Sequence, residues 1–491
     1  VTVGLGLVPE GVGPGVSVVG RLGMGLHHSD TRPQAVDTVV GDAGPLRHDW
    51  IHYPNAPTPP SKFRTFASDS DAEGRNFGMR VGIGPTSGDD EIRHAVTAWV
   101  EAHLPQTWRD AAPGGRAAIR AVRPRADYET WYPTFAASGL VAATWPVAYG
   151  GLDLTPQQAR VAESLLAPYN LGRLNPLGLN NTAPALFAHG TEPQRLRFLP
   201  PIVANTERWC QLFSEPGAGS DLASLATRAE RDGDEWIITG QKVWTTWAHV
   251  SDFAICLART DPGTPKRKGI TYFLVELDRP GVDVRPLRHM GGEVDFDEVF
   301  LDEVRVPDFH RVGAVGDGWR VAGATLAGER QMVAGSGSGG VDRIGGGGIQ
   351  GIIDRATGDG RAADPHLRQN LMRLYSEERI RGWTNQRVRA GIAAGGTPGP
   401  AASVGKVHQG ALNQRMQLLA HELLGLHGQA WEGDWQDDMP YALRGMMRSR
   451  ANTIEGGTTE VNKNVIGEKV LGLPREPDPW HGKAWEETPR S

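Results

Sequence analysis

The sequence predicts an α+β protein built as a helical region, a β region and a second helical region, in that order. Two observations carry this. Apolar residues recur every three to four positions through residues 89–205 and again after Gly318, which is the helical period. Residues 206–312 instead hold short runs of β-branched and aromatic residues between turn residues. Strands and helices do not alternate, so a parallel βαβ sheet is not expected.

The elements follow in order. "DDEIRHAVTAWVEAHLP" places Ile92, Val96, Trp99, Val100 and Leu104 on one helix face and stops at Pro105. "YETWYPTFAASGL", "TPQQARVAESLLAPY" and "TEPQRLRFLPPIV" continue the helical region. Thr155 and Thr191 stand where N-caps belong, each with a Pro just after. "EWIITG", "DFAICLAR", "GITYFLVEL" and "GVDVRPLR" read as strands, and "RDGDEW" as a turn between two strands. After Gly318, "DGWRVAGATLAGERQMV", "PHLRQNLMRLYSEERIRGWTNQRVRAG" and "SVGKVHQGALNQRMQLLAHELLG" read as helices long enough for a bundle. No G-x-G-x-x-G follows a strand, and no Walker A motif occurs.

A chain of 491 residues holds two or three packed units. The expected regions are 89–205 (helical), 206–318 (β), 319–476 (helical bundle) and a tail, 477–491. Residues 1–88 are expected to be a disordered extension. "HYPNAPTPPSKF" is Pro-rich, "ASDSDAEGRN" is polar, and neither has a helix or strand period. The chain starts with Val, and Met79 lies just before the first helix, so residues 1–78 read as a non-domain extension such as an over-long gene model would leave. The apolar N-terminal stretch lacks a basic n-region and does not predict a signal peptide.

The net charge of -6, without a clustered basic face, argues against a nucleic-acid partner. Cys210 and Cys256 are the only cysteines, so neither a disulfide framework nor a Cys-based metal site is expected, and a reduced, cytoplasmic setting is. No apolar run approaches the ~20 residues of a membrane span.

Two segments carry chemistry. In "LFSEPGAGSDLAS" (212–224), Gly217 and Gly219 let the backbone come close to a ligand, and Ser214 and Ser220 offer hydroxyls. By composition alone this is equally a tight turn. In "GQKVWTTWAHVSDF" (240–253), Trp244 puts a flat ring beside Thr245 and Thr246. A lone strand Trp is more often a core residue.

Taken together with "WPVAYGG", "GITYFLVELDRPGV", "EVFLDEVRVP" and the tail "IEGGTTEVNKNVIGEKVLGLPRE", these segments resemble the acyl-CoA dehydrogenase family over residues 89–476, in the family's order. The resemblance implies an N-terminal helical domain, a central β-barrel and a C-terminal four-helix bundle, with FAD between barrel and bundle. It implies α,β-desaturation of an acyl-CoA: a carboxylate removes the α-proton, the β-hydrogen passes as hydride to flavin N5, and electrons leave to an acceptor such as electron-transfer flavoprotein. It also implies a homodimer or homotetramer, with a mixed oligomer as an option.

Residue by residue, the resemblance puts Gln211, Phe213, Ser214, Gly219 and Ser220 on the flavin, with Ser220 also touching CoA. Trp244 matches the flavin-stacking Trp, and Thr246 the hydroxyl near N5. Thr458 and Glu460 match a pair that reaches the FAD nucleotide. Gly425, in "HELLGLHGQ", matches a loop contacting FAD across a subunit interface, although Glu422 and Leu426 replace the usual Gln and Gly. Gln369 matches an FAD-contacting Gln, without the "R..FG" segment that usually precedes it.

The α-proton of a thioester is a weak acid, so its base is a carboxylate with a raised pKa, facing the flavin across the substrate. Medium-chain-type relatives use the Glu of "YEGT". Aligning Gly457-Thr458 with that motif puts Gly456 at the Glu position, leaving room for substrate, and Glu455 one residue early. Isovaleryl- and long-chain-type relatives carry the base on the first helix after the barrel, directly before an Arg. Glu329-Arg330 in "TLAGERQMVAGSG" stand there, so Glu329 is the expected base, Glu455 the runner-up and Arg330 a CoA-side contact. Without the family pattern, Glu329 would read as an exposed helix carboxylate. Glycines 335, 337, 339, 340 and 345–348 then predict either close packing or an interrupted helix. Two other readings share these residues: an oxygen-using acyl-CoA oxidase or flavin monooxygenase on the same fold, and a non-catalytic subunit of a mixed tetramer.

Overall fold

Local sequence chemistry sets the helix starts. In the computed structural model, α1 (Asp89–His103) buries Ile92, Val96, Trp99 and Val100, and its first turn carries Asp89, Asp90 and Glu91 against the positive helix end. Short helices α2 (Gln106–Ala111) and α3 (Gly115–Val122) and the longer α4 (Arg125–Ala137) follow. The next long helix, α5 (Pro156–Leu166), opens on a complete capping box between Thr155 and Gln158. A five-residue π turn, Gly178–Thr182, leads into α6 (Ala183–His189), and α7 (Glu192–Ala204) opens on a second box between Thr191 and Gln194. Both threonines are N-caps, as the sequence predicts.

The structure describes residues 79–333, 348–393, 400, 402–429 and 439–489, without the side chains of 117, 327–333, 389, 392, 393 and 402. The described residues belong to one compact unit, Asp69–Ser491. The expected extension 1–78, and the glycine-rich run from 334 to 347, lie outside the described residues. Residues 79–88 correct the expectation of disorder up to 88. Val81 is buried and its N–H bonds Ser138 O, the Trp99 indole donates to Met79 O, and the Gln158 amide donates to Pro85 O and Ser87 O. Backbone carbonyls claimed by buried side chains tie this segment down although it has no period of its own.

Eight strands make one sheet: β1 (Trp209–Leu212), β2 (Arg228–Asp232), β3 (Glu235–Thr246), β4 (Phe253–Arg259), β5 (Ile270–Glu276), β6 (Val282–Leu287), β7 (Phe296–Pro307) and β8 (Arg311–Val312). The order is β6-β7-β3-β2-β4-β5-β8, with β1 parallel to β4. The expected turn in "RDGDEW" is a two-residue hairpin with Gly233 at φ 63°. Alternation along β4 and β5 gives the sheet two apolar faces. Ala254, Cys256, Ala258, Phe273 and Val275 join residues of β7 in a core inside the curled sheet. Ile255, Leu257, Tyr272 and Leu274 pack instead on the helical region. Burial pushes the Cys256 thiol up to about 11, which makes it a packing residue.

The C-terminal helices are α8 (Gly318–Val333), α9 (Ile349–Gly358), α10 (Pro365–Ala393), α11 (Ala402–Glu422), α12 (Tyr441–Ser449) and α13 (Thr459–Val465). Ile352, Leu371, Leu374, Leu412, Met416 and Leu419 form a third core among α9, α10 and α11. The order helical, β, helical is the one the sequence predicts. The end of the chain folds back onto the sheet. Trp485 is 7% exposed, its N–H donates to Thr264 O and its indole to Ser224 O, and the Arg259 guanidinium lies 4.4 Å from its ring centre. The expected tail thus includes a docked segment.

Candidate active site

The glycine-rich loop begins where β1 ends. Glu215 and Ala218 exchange backbone hydrogen bonds of 3.1 and 3.0 Å and close a tight turn. The Glu215 carboxylate reaches under the loop and accepts from Ala226 N (2.7 Å), Thr227 N (2.9 Å) and Lys242 Nζ (2.8 Å). Lys242 is 0% exposed and also donates to Phe213 O and Leu257 O, so its three hydrogens are all placed. Burial pushes the Glu215 carboxyl up, but Lys242 and the N–H donors outweigh it and hold it below its ordinary value. Val243 N donates to Ser214 O and fastens the loop directly before Trp244.

Trp244 sits where the β3–β7 register slips between Lys242 and Thr245. It takes φ 60°, a left-handed conformation that costs a bulky residue on the order of 1–3 kcal/mol. The bulge turns its ring outward: it is 56% exposed and touches Phe296 edge-on at 5.7 Å. Thr246 is half-buried beside it and pairs with Phe296 in the ladder. His249 follows, its Nδ1 2.9 Å from both oxygens of the fully buried Asp297. That carboxylate raises the His249 imidazole above its ordinary value, against the burial that lowers it.

The helical bundle meets the same place. Arg448 on α12 lies over Phe296 at 5.6 Å and pairs with Glu455 at 2.9 Å. The other Glu455 oxygen accepts from Asn452. Gly456 and Gly457 take φ 63° and 86°, which only glycine adopts at low cost, and turn the chain into α13. Thr458 caps that helix by accepting from Val461 N, which leaves its hydroxyl hydrogen for another acceptor. Glu460 is exposed.

Several expected contacts thus gather around Trp244 and the loop. Gln211 and Ser214 are half-buried there, and Gly219 and Ser220 are exposed, with open space where a Gly219 Cβ would stand. Phe213 is narrower than expected: its ring is buried beside Tyr272 and its carbonyl is taken by Lys242, so its N–H is what it can offer a ligand. Glu329 and Arg330 lie in α8, with side chains outside the described part. Gln369 on α10 and Gly425 after α11 are exposed in the bundle, whose helix ends border a cavity of about 450 Å³ lined by Arg361, Leu367, Asn370 and Leu419. Sequence reasoning missed the Lys242–Glu215 clamp, although a lone Lys in an apolar strand is its signal. It also missed Asn181, Thr325 and Arg448, which no local pattern marks.

These residues fit FAD. An exposed, strained Trp ring offers a flat apolar face, the clamped loop leaves open backbone at Gly219, and buried Arg448 Nη1 has no acceptor among the described residues.

Three successive family models match: the N-terminal domain of acyl-CoA dehydrogenase over residues 86–206, the middle domain over 210–304 and the C-terminal domain over 316–471. The acyl-CoA dehydrogenase IpdE1 of Mycobacterium tuberculosis is 37% identical over 401 residues, covering 79% of this chain and 98% of the relative. The acyl-CoA dehydrogenase FadE34 of the same organism is 39% identical over 340 residues, and this chain spans 45% of its length. Among solved structures, the Tcur3481-Tcur3483 steroid acyl-CoA dehydrogenase is 27% identical with a TM-score of 0.62, over 79% of this chain and 98% of that one. The ChsE4-ChsE5 complex of Mycobacterium tuberculosis is 26% identical with a TM-score of 0.56, over 80% and 100%. Matched in all three parts, and along nearly the whole length of one named relative, the chain belongs to the acyl-CoA dehydrogenase family and is an enzyme of that class.

Proposed function

We propose that this chain desaturates an acyl-CoA thioester between Cα and Cβ with FAD, and that Glu329 is the base for the α-proton. The observation that carries the reading is Trp244, held outward at a strained bulge directly after the buried clamp of the glycine-rich loop. Bound FAD supplies the acceptor for the two electrons. Gln211, Phe213 N–H, Ser214, Gly219, Ser220, Trp244 and Thr246 would hold its flavin end, and Thr458 and Glu460 the nucleotide. Gln369 would contact FAD from the bundle, and Gly425 across a subunit contact. Ser220, Arg330 and Gly456 would border the CoA thioester.

The hydrogen bonds that Glu455 makes favour Glu329 over it. Both Glu455 oxygens already accept hydrogen bonds, from Arg448 and Asn452. A base must be free to take a proton from the substrate. Glu329 stands on α8, the helix whose Thr325 bonds Tyr272 beside Phe213. The electrons pass to a protein acceptor such as electron-transfer flavoprotein. The two solved relatives carry two-chain names, which supports assembly with a second chain of the same family. Among the described residues no helix is long and apolar enough to cross a membrane.

Anaerobic bleaching of the flavin by a panel of acyl-CoAs tests the reading. Glu329→Gln should slow bleaching by at least about 100-fold, while Glu455→Gln stays within a few-fold of wild type. The opposite pattern would move the base to Glu455. Oxygen consumption at the rate of turnover, without a protein acceptor, would replace the dehydrogenase reading by the oxidase one.

A further inference from the structure

One buried polar group near the proposed base is left with a free end. Asn181 lies in the π turn Gly178–Thr182, and π turns inside helices are frequent at functional sites. The turn is built in. Asn175 Oδ1 accepts from both Gly178 N and Trp209 N, and a Cβ on Gly178 would strike the Asn175 amide at 2.8 Å. Asn181 is 2% exposed; its Nδ2 donates to Gln211 Oε1 at 2.8 Å, and its carbonyl accepts from Thr325 Oγ1 at 3.0 Å. Among the described residues its Oδ1 is buried with no partner, and so is the hydroxyl of the next residue, Thr182, 1% exposed. Whichever way the Asn181 amide is turned, one end meets Gln211 and the other is left over.

The place is specific. Gln211 is an expected flavin contact. Thr325, bonded to Asn181 and to the Tyr272 phenol, precedes Glu329 by four residues in α8, and positions four apart share a helix face. Buried polar atoms are nearly always paired, so two consecutive orphans beside the reacting region ask for polar atoms that the described residues do not supply. A plain hydrocarbon would leave both unpaired.

We infer that Asn181, with Thr182, is a specificity-determining residue that hydrogen-bonds an oxygen substituent on the acyl group, so that the favoured substrates are hydroxyl-bearing acyl-CoAs. A substrate hydroxyl that donates to Asn181 Oδ1 satisfies that orphan, and an oxygen that accepts from the Thr182 hydroxyl satisfies the other. This rests on the desaturation reading above.

The test uses the flavin-loaded full chain and two kinds of thioester: an unsubstituted acyl-CoA, and hydroxyacyl-CoAs of the same length with the hydroxyl walked along the chain. In wild type, at least one hydroxyl position should raise kcat/KM for flavin reduction about tenfold over the unsubstituted chain. Asn181→Leu should abolish that preference and leave the unsubstituted chain as good or better, and Thr182→Val should weaken it with full flavin content. Reduction by the unsubstituted chain without preference for any hydroxyl position overturns this inference alone, and needs no variant to fold. An equal loss on both substrates in Asn181→Leu, reproduced in Thr182→Val, also overturns it. No reduction by any thioester overturns the desaturation reading, and this inference with it.

Discussion

The two sides of the candidate site are built differently. On the sheet side, Lys242 and Glu215 are buried, and every bond of the lysine ends on the sheet or its loop. The loop cannot shift without exposing or unpairing a charge in a low-dielectric core, so it can hold Trp244 in a conformation that costs energy. On the bundle side, Arg448 and Glu455 are partly exposed, and the backbone turns through two left-handed glycines. A rigid wall thus faces an adjustable one.

The largest expected effect strikes the rigid wall. Lys242→Met should cost about 3–5 kcal/mol, because it leaves Glu215 buried without its cation. Chemical denaturation measures this, and flavin content should fall with it. A loss below about 1 kcal/mol would show that the clamp is not what holds the loop. The same pair has a pH signature. The Glu215 carboxyl is lowered in the folded protein, so its contribution is present above its ordinary value of 4.5 and is lost as pH falls through the lower, folded one.

Trp485→Ala comes next. It removes a nearly buried ring from Arg259 and the indole hydrogen bond to Ser224 O, and should lower stability by about 2–3 kcal/mol. Limited proteolysis should then clip the end of the chain first. An unchanged melting temperature would mean that the docked segment adds nothing to the sheet side.

His249 sharpens the contrast at smaller scale. Asp297 raises its imidazole, so the pair stabilises fully below the ordinary value of 6.5 and loses that contribution as pH rises through the folded one. The ring is part-exposed, so the amount is about 1 kcal/mol. Stability of wild type minus His249→Asn, followed above pH 6.5, should shrink with rising pH; a flat difference would remove the pair from the account.

The smallest effect belongs to the adjustable wall. Glu455→Gln breaks a part-exposed ion pair with Arg448 and should cost under about 1 kcal/mol by thermal melting. A loss as large as that of Lys242→Met would erase the difference between the two sides.

Much of this was legible before any coordinates. The capping threonines Thr155 and Thr191, the Gly233 hairpin and the order of helices and strands depend on residues within a few positions of one another, where local chemistry decides. The loop at Ser214–Ser220 and the Trp244 segment were legible because the residues that bear the chemistry are contiguous. What the sequence determined by itself was therefore the fold class, the family and the residues proposed to face the flavin.

Only the tertiary structure decided what those residues touch. It took the sheet register to bring Lys242 under Glu215, 27 positions apart, and the bulge to turn Trp244 outward. It took chain reversal over 261 positions to dock Trp485 on Ser224. Asn181 and Thr325, 144 positions apart, meet because the π turn, β1 and α8 converge. No local period encodes such meetings, because each depends on burial shared between distant elements and on which polar atoms that burial leaves unpaired.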